Sequence, residues 1–160
     1  MSQAKTNAMR MLDRAKISYT ALEYPHQEGQ AVDGVTVAQM LGQNPDQVFK
    51  TLVTQGASHN YYVFVVPVAA SLDLKKAARA VGEKSVAMLH VADINKVTGY
   101  IRGGCSPVGM KKQFVTVFHE SMLEQSQVMV SGGRIGLQIQ LAPADLIAAV
   151  KGKTADIIAL

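Results

Sequence analysis

The chain has a single cysteine, Cys105, among its 160 residues. That excludes an intramolecular disulfide and any zinc site built on a cysteine cluster. Histidine is nearly as sparse. His26, His59, His90 and His119 stand apart, without the HExxH or His-x-His spacing that places two ligands on one face, so only a site assembled in three dimensions stays open to a metal. Tryptophan is missing and aromatics make up 6% of the chain. No RNA-recognition aromatic motif appears, and stacking along a long single strand is not expected. Nowhere do about 18 apolar residues run together, so no membrane span is expected. The polar, amphipathic opening MSQAKTNAMRMLDRAK lacks the apolar region of a signal peptide. These absences point to a cytoplasmic protein without metal or cofactor.

What is present suits a folded domain. Hydrophobic residues make up 48% and charged residues 18%, enough apolar side chains for a real core in one domain over residues 1–160. The net charge of +4 favours polyanionic partners only mildly. Basic residues gather in two places: Lys75, Lys76 and Arg79 on an expected helix, and Arg102, Lys111 and Lys112 around a glycine-rich segment. Both can be solvated faces. A phosphate-rich end or stem is the nucleic-acid contact they could best support.

Periodicity gives the elements. Ala8, Met11, Leu12 and Ala15 recur at helical spacing and predict a helix over 5–16. A strand is predicted over 19–24, ending at Pro25, then a polar loop over 26–34. Thr36 and Gln39 have the spacing of a capping box, with Gly42 at the C-terminal turn. NPDQ (44–47) pairs an Asn cap with a Pro at the first helical position. Strands are predicted over 48–54 and 61–66, joined by the hairpin loop QGASHN. A helix capped by Asp73 runs through Val81 to Gly82. SVAML reads as a strand, VADINKVTG as a short helix and FVTVF as a strand. QVMVSGG and IGLQIQL read as a hairpin turning at Gly132 and Gly133, and Pro143 opens a last helix through Val150. There is no strict βαβ repeat. The pattern predicts an α+β fold: a mixed curved sheet, or partly closed β-barrel, with peripheral helices.

Three places could carry chemistry. Lys50 sits mid-strand in VFKTLV. Period-2 alternation puts it on a face with Val48 and Leu52, and Phe49, Thr51 and Val53 on the other. A buried ammonium needs an anion. Lys50 is therefore either an edge-strand lysine that blocks aggregation or a group that meets a phosphate, a carboxylate or a developing oxyanion. TGYIRGGCSPVGMKK (98–112) holds Gly103, Gly104 and Gly109 around Ser106 and Pro107. Such a loop can converge N–H groups on an anion, or simply turn the chain. It is neither a Walker A motif nor GxGxxG after a strand. Cys105, Ser106 and Ser131 have no evident base nearby in sequence, and a lone Cys is usually a small buried residue. VSGGRIG (130–136) is a second glycine-bearing turn.

NPDQVFKTLV, LDLKKAARAVG, TGYIRGGCSPVGMKK and VSGGRIGLQIQL, in this order, resemble the YbaK/EbsC proteins, free-standing relatives of the editing domain inserted in bacterial prolyl-tRNA synthetase. The resemblance covers nearly the whole chain. It implies cleavage in trans of the ester joining a wrong amino acid to tRNA, most often cysteine on tRNA(Pro), with alanine on tRNA(Pro) as the alternative. It implies mischarged tRNA as partner, with prolyl-tRNA synthetase as a possible second. It aligns Lys50 with the family's essential lysine and Tyr24 with its pocket tyrosine. Gly103, Gly104, Ser106, Pro107 and Gly109 align with its GGxSPxG loop, and Ser131 and Gly132 with its SGG turn. Cys105 falls on the loop's variable position. Gln138 stands where the family commonly has an acid, Gln140 replaces a Glu, and Arg134 lies one place early. These departures leave room for a non-catalytic tRNA- or synthetase-binding module, and the glycine loop for a small-nucleotide-binding regulator.

Overall fold

The computed structural model describes residues 4–160. Helix α1 (Asn7–Arg14) is capped by Thr6, whose hydroxyl accepts from the Met9 N–H, and it buries Ala8, Met9 and Leu12. It is shorter than the predicted 5–16. The cap sits at Thr6, and Lys16 turns the chain out of the helix with φ +59°. Strand β1 (Thr20–Glu23) follows.

Helix α2 (Gly34–Met40) corrects the sequence reading of its start. Its cap is Asp33, not Thr36. The Asp33 carboxylate accepts from the Thr36 N–H at 3.1 Å and from the Thr36 hydroxyl at 2.6 Å. A carboxylate is the stronger acceptor for an orphan helix N–H, so the Thr36 hydroxyl serves as a donor to the cap. These two bonds hold Asp33 below its usual carboxylate pKa. Asn44 caps the 3-10 turn Pro45–Gln47 as its sequence suggested.

The centre of the molecule is the hairpin of β2 (Phe49–Gly56) and β3 (Tyr61–Pro67). Helix α3 (Leu74–Val81), capped by Asp73 and closed by Gly82, leads to edge strand β4 (Val86–Met88), which pairs with the far end of β2. Helix α4 (Val91–Thr98) ends at Gly99, and the glycine-rich segment runs from there to β5 (Val115–His119), which lies parallel to β3. A hairpin of β6 (Val128–Ser131) and β7 (Leu137–Leu141), helix α5 (Pro143–Ala149) and strand β8 (Lys153–Ala155) complete the chain. The hairpin turn is longer than predicted and spans residues 132–136.

The strands form two sheets, ordered β1-β7-β6 and β4-β2-β3-β5-β8. A parallel bridge from Val48 to Met129 joins them where β2 begins. The result is a mixed, curved surface that is not a closed barrel. β8, which pairs in parallel with β5, has no counterpart in the sequence reading; three residues are too few to show alternation.

Both faces of the central hairpin are covered, so its strands are almost continuously apolar. Phe49, Val63 and Val65 join Val130, Ile139, Leu141 and helix residues Ala8, Leu12 and Leu146 in one core. Phe64 and Val66 face the other way, with Ala77 and Ala78 of α3. Beside that second layer, Ala38 of α2 packs with Val48, Val68 and Met129.

Asp33→Ala is expected to lower the melting temperature by about 2–4 °C at pH 7, the scale of a lost cap in a domain of this size. Because the folded pKa is depressed, the cap's contribution is present above the unfolded carboxylate pKa and fades as pH falls through the folded value. Thermal unfolding of both proteins at pH 7 and pH 3 should therefore show the gap narrowing in acid.

Candidate functional site

Pairing register brings the predicted residues together. Leu22 of β1 stands opposite Gln138 of β7, and Gln138 stands opposite Ser131 of β6. Val48 bridges Met129 in parallel. Lys50 lies two residues past Val48 and Ser131 two past Met129, so alternation turns each to the same side of its strand as its bridge residue. Residues directly opposed across a sheet share a face, so Leu22, Gln138 and Ser131 form one row in the first sheet, and Lys50 and Val66 pair in the second. Tyr24, two residues past Leu22, points to the same side by alternation. Its N–H extends the ladder to the Gly136 carbonyl at 2.9 Å. Tyr24 is buried and meets the His26 ring edge-on at 6.4 Å.

Lys50 is half-buried. It forms no ion pair and no hydrogen bond among the described residues, and burial alone pushes its ammonium pKa down. β2 is not an edge strand of its sheet, although Lys50 itself is paired on one side only, with Val66. β2 has β3 along one side, with β4 and the bridge to β6 on the other.

Gln138 is 3% exposed. It forms a reciprocal amide pair with Gln43, just past α2. Gln43 Nε2 donates to Gln138 Oε1 at 2.7 Å, and Gln138 Nε2 donates to Gln43 Oε1 at 3.2 Å. Gln43 escaped the sequence reading. Nothing in QNPDQ signals that one glutamine, 95 positions from its partner, closes over a sheet.

The glycine segment docks on the tip of the β6–β7 hairpin. A Cβ on Gly104 would lie 2.8 Å from the Arg134 Cα, so only glycine permits this approach. Gly109, with φ +82°, packs likewise on the backbone of Asn7 and Ala8. The Tyr100 hydroxyl donates to the Val108 carbonyl at 2.7 Å, and Thr6 Oγ1 donates to the Gly132 carbonyl at 2.5 Å. Loop, hairpin tip and the start of α1 are thereby one unit. Within it, the Gly104 N–H is committed to the Ile101 carbonyl and the Val108 N–H to Ser106 Oγ. Ser106 is fully buried. Ser131 Oγ accepts from the Gly133 N–H. The N–H groups of Gly103 and Cys105 have no partner among the described residues.

Cys105 is a poor nucleophile here. Burial pushes its thiol up to about 12, and a protonated thiol neither attacks nor binds metal. Two open clefts of about 380 and 330 Å³ lie elsewhere, one lined by His119, Ser121 and Glu124, the other by His59, His90 and Asp93. Among the described residues no three acidic, His or Cys side chains group as metal ligands. Among the described residues no helix is long and apolar enough to cross a membrane.

Of the residues singled out in the sequence, Lys50 is a half-buried cation without a partner among the described residues. Residues 28–149 match the family model described as the aminoacyl-tRNA editing domain, and the chain belongs to that family. It is 46% identical over 156 residues to a proposed Cys-tRNA(Pro)/Cys-tRNA(Cys) deacylase, EbsC, of Enterococcus faecalis (strain ATCC 700802 / V583), covering 98% of this chain and 94% of that one. A protein described as a proposed trans-editing enzyme for prolyl tRNA synthetase shares the fold, with TM-score 0.82 and 24% identity over 99% of this chain and 100% of the other. So does a scaffold used for computational epitope grafting, with TM-score 0.84 and 26% identity over 98% and 99%.

Two outcomes are expected. Cys105→Ser keeps full activity, and with the thiol pKa raised from 9.0 to about 12, alkylation of the folded protein by iodoacetamide runs roughly 10³-fold slower than that of the unfolded chain at neutral pH. Gln43→Ala and Gln138→Ala each destabilise the fold, and the double variant loses less than their sum by about 1 kcal/mol in denaturant titrations.

Proposed function

We propose that the chain, folded as one editing domain, is a cytoplasmic aminoacyl-tRNA deacylase that acts in trans on Cys-tRNA(Pro). The observation that carries this reading is the uncompensated, half-buried Lys50 ammonium, two residues past the bridge that joins its strand to the sheet of Ser131 and Gln138. Such a cation is costly to keep unless a substrate's charge meets it. The EbsC relative, whose name gives Cys-tRNA(Pro) and Cys-tRNA(Cys), supports the substrate class.

The chemistry needs neither a protein nucleophile nor a metal. The substrate is an activated ester, and positioning plus electrostatic stabilisation lowers its barrier. For a cysteinyl ester, the substrate sulfur attacks its own carbonyl carbon. The S–C bond forms, the C–O bond to the ribose breaks, and the thiol proton ends on the ribose oxygen. The products are a cyclic thioester and free tRNA. The N–H groups of Gly103 and Cys105 face the developing oxyanion. Lys50 stabilises the departing ribose oxygen, and its lowered pKa makes it a readier proton donor than a free lysine. Tyr24, Ser131, Gly132 and the Gln138–Gln43 pair shape the amino-acid pocket, while Gly104, Ser106, Pro107 and Gly109 hold the loop in place. Discrimination by size alone is weak, about 1–3 kcal/mol per methylene. Prolyl-tRNA synthetase is the partner that would add tRNA selectivity.

Gln138 favours a second reading. If the family's common acid is essential there, the chain binds charged tRNA without cleaving it.

The test compares Cys-tRNA(Pro) and Ala-tRNA(Pro) deacylation by wild type and Lys50→Met. Wild type should cleave the cysteinyl ester faster, with the rate lost when the substrate thiol is blocked. Lys50→Met should fall by at least about 10²-fold. Its melting temperature should rise at pH 7, because a penalised charge has gone. A lysine with a depressed folded pKa costs stability in full below that pKa, and the cost disappears as pH climbs to the unfolded value near 10.5. The stability gain should therefore shrink as the pH is raised towards 10.5. A destabilised but active Lys50→Met protein would sink this assignment. An inactive wild type whose Gln138→Asp variant is active would establish the binding-module reading.

A further inference from the structure

We propose that Arg102, Lys111 and Lys112, with Lys96 at their edge, form the surface that seats the sugar-phosphate backbone of the tRNA acceptor stem. From there the 3′ end passes over Gly103 to Lys50. The inference rests on the deacylase reading for its choice of RNA.

The chain has two basic clusters in sequence, and the structure treats them differently. On α3, Lys76 is fully engaged: its Nζ bonds Asp156 Oδ2 at 3.0 Å and the Ile158 carbonyl at 2.9 Å. Glu83 adds negative charge just past the end of the same helix, where it receives the hydroxyls of Ser58 and Tyr62. Acids therefore stand beside this helix, and one of them takes Lys76, while Lys75 and Arg79 are exposed without an ion pair among the described residues.

The other cluster is built by the loop itself. The Lys111 N–H donates to the Thr98 carbonyl at 3.0 Å, and the Gly104 N–H to the Ile101 carbonyl at 2.9 Å. These bonds close the neck of the loop at Thr98 and Lys111, with Arg102 inside the Ile101–Gly104 turn and Lys112 next to Lys111. The Lys111 stem lies over Gly99, and its Nζ donates to the Lys96 carbonyl at 3.2 Å. This steadies the ammonium on the C-terminal carbonyls of α4, where a cation is favoured. Arg102, Lys111 and Lys112 are exposed, and none forms an ion pair among the described residues. Lys96 is paired with Asp93. No acidic residue occurs between Asp93 and Glu120, so nothing in this stretch offsets the cluster.

Position completes the argument. Arg102 precedes Gly103, which abuts Ala31 and Ile135 at the hairpin tip. The neck of the loop is thus adjacent to the site, and a stem lying on it has only its single-stranded end to thread inward. Ile101, 51% exposed beside Arg102, gives that end an apolar surface. Lysine and arginine heads contacting phosphates would give affinity without base specificity.

The test measures binding of uncharged tRNA(Pro) between about 50 and 200 mM salt, for wild type, Arg102→Gln/Lys112→Gln and the control Lys75→Gln/Arg79→Gln. The loop double variant should bind on the order of tenfold more weakly at low salt. Its slope of log K against log salt should fall by about two, one for each phosphate no longer neutralised. The control should match wild type, and melting curves should confirm that both variants are folded. Unchanged affinity and slope in the loop variant, or weakened binding in the α3 control instead, overturns the proposal. So does loss of prolyl-tRNA synthetase association alone, which would make the cluster a protein-binding surface. Deacylation is read separately. A wild type that binds through this cluster but cleaves nothing removes the deacylase reading and leaves the surface standing. Cleavage equally fast in the loop variant at subsaturating tRNA does the reverse.

Discussion

The parallel bridge between Val48 and Met129 is the joint at which the two sheets meet, and the placement of the polar side chains around it follows from that contact. Each sheet alone carries an incomplete set of groups: Ser131 and Gln138 on one, Lys50 on the other. The bridge fixes their relative register at one point, and alternation does the rest. A slip of one residue would turn Lys50 into the apolar layer with Phe49 and Val65, where no anion could reach it. The joint is itself anchored by packing rather than by polar groups. Val48, Val68, Met129 and Ala38 form a small apolar cluster of their own, so α2 both covers the bridge and delivers Gln43 to Gln138.

Polarity at the site follows from that arrangement. It sets polar side chains into largely apolar sheets. Gln138 is satisfied by Gln43, and Ser131 by the turn it precedes. Of the three, Lys50 alone has no partner among the described residues. With every other group satisfied, the energetic cost of the arrangement is localised at the Lys50 ammonium. The glycine loop works by the opposite means. It contributes backbone, and its most constrained glycines serve to bring that backbone close to the hairpin and to α1.

Much of this was legible in the chain. The alternation in VFKTLV and YYVFVV places Lys50 on its face correctly, because β-branched and aromatic residues mark the strands and the hairpin is local. The caps at Asn44 and Asp73 and the glycine ends of α3 and α4 read directly, being rules of neighbouring residues. Failures came where distance or competition decides. Thr36 has every local feature of a cap and loses to Asp33, a stronger acceptor three positions earlier. β8 exists only because β5 is there to pair with. Gln43 and the bridge at Val48 are tertiary facts, and the fate of Lys76 is settled by Asp156, 80 positions away. The chemistry of Cys105 could be ranked in advance, but its inertness is a matter of burial.

The row of side chains also dates the appearance of the site during synthesis. β1 pairs with β7, matching Thr20 to Gln140, so the first strand waits for almost the last one. β5 needs β3 before it and β8 after it, both in parallel, and such non-local pairings form slowly. At ribosomal rates of about 5–20 residues per second, the β2–β3 hairpin is made seconds before Ser131 and β6 are. A nascent chain therefore exposes Lys50 on an unpaired strand edge before it can recognise anything. Its charge then does a different job, keeping that edge from pairing with another chain until β6 arrives.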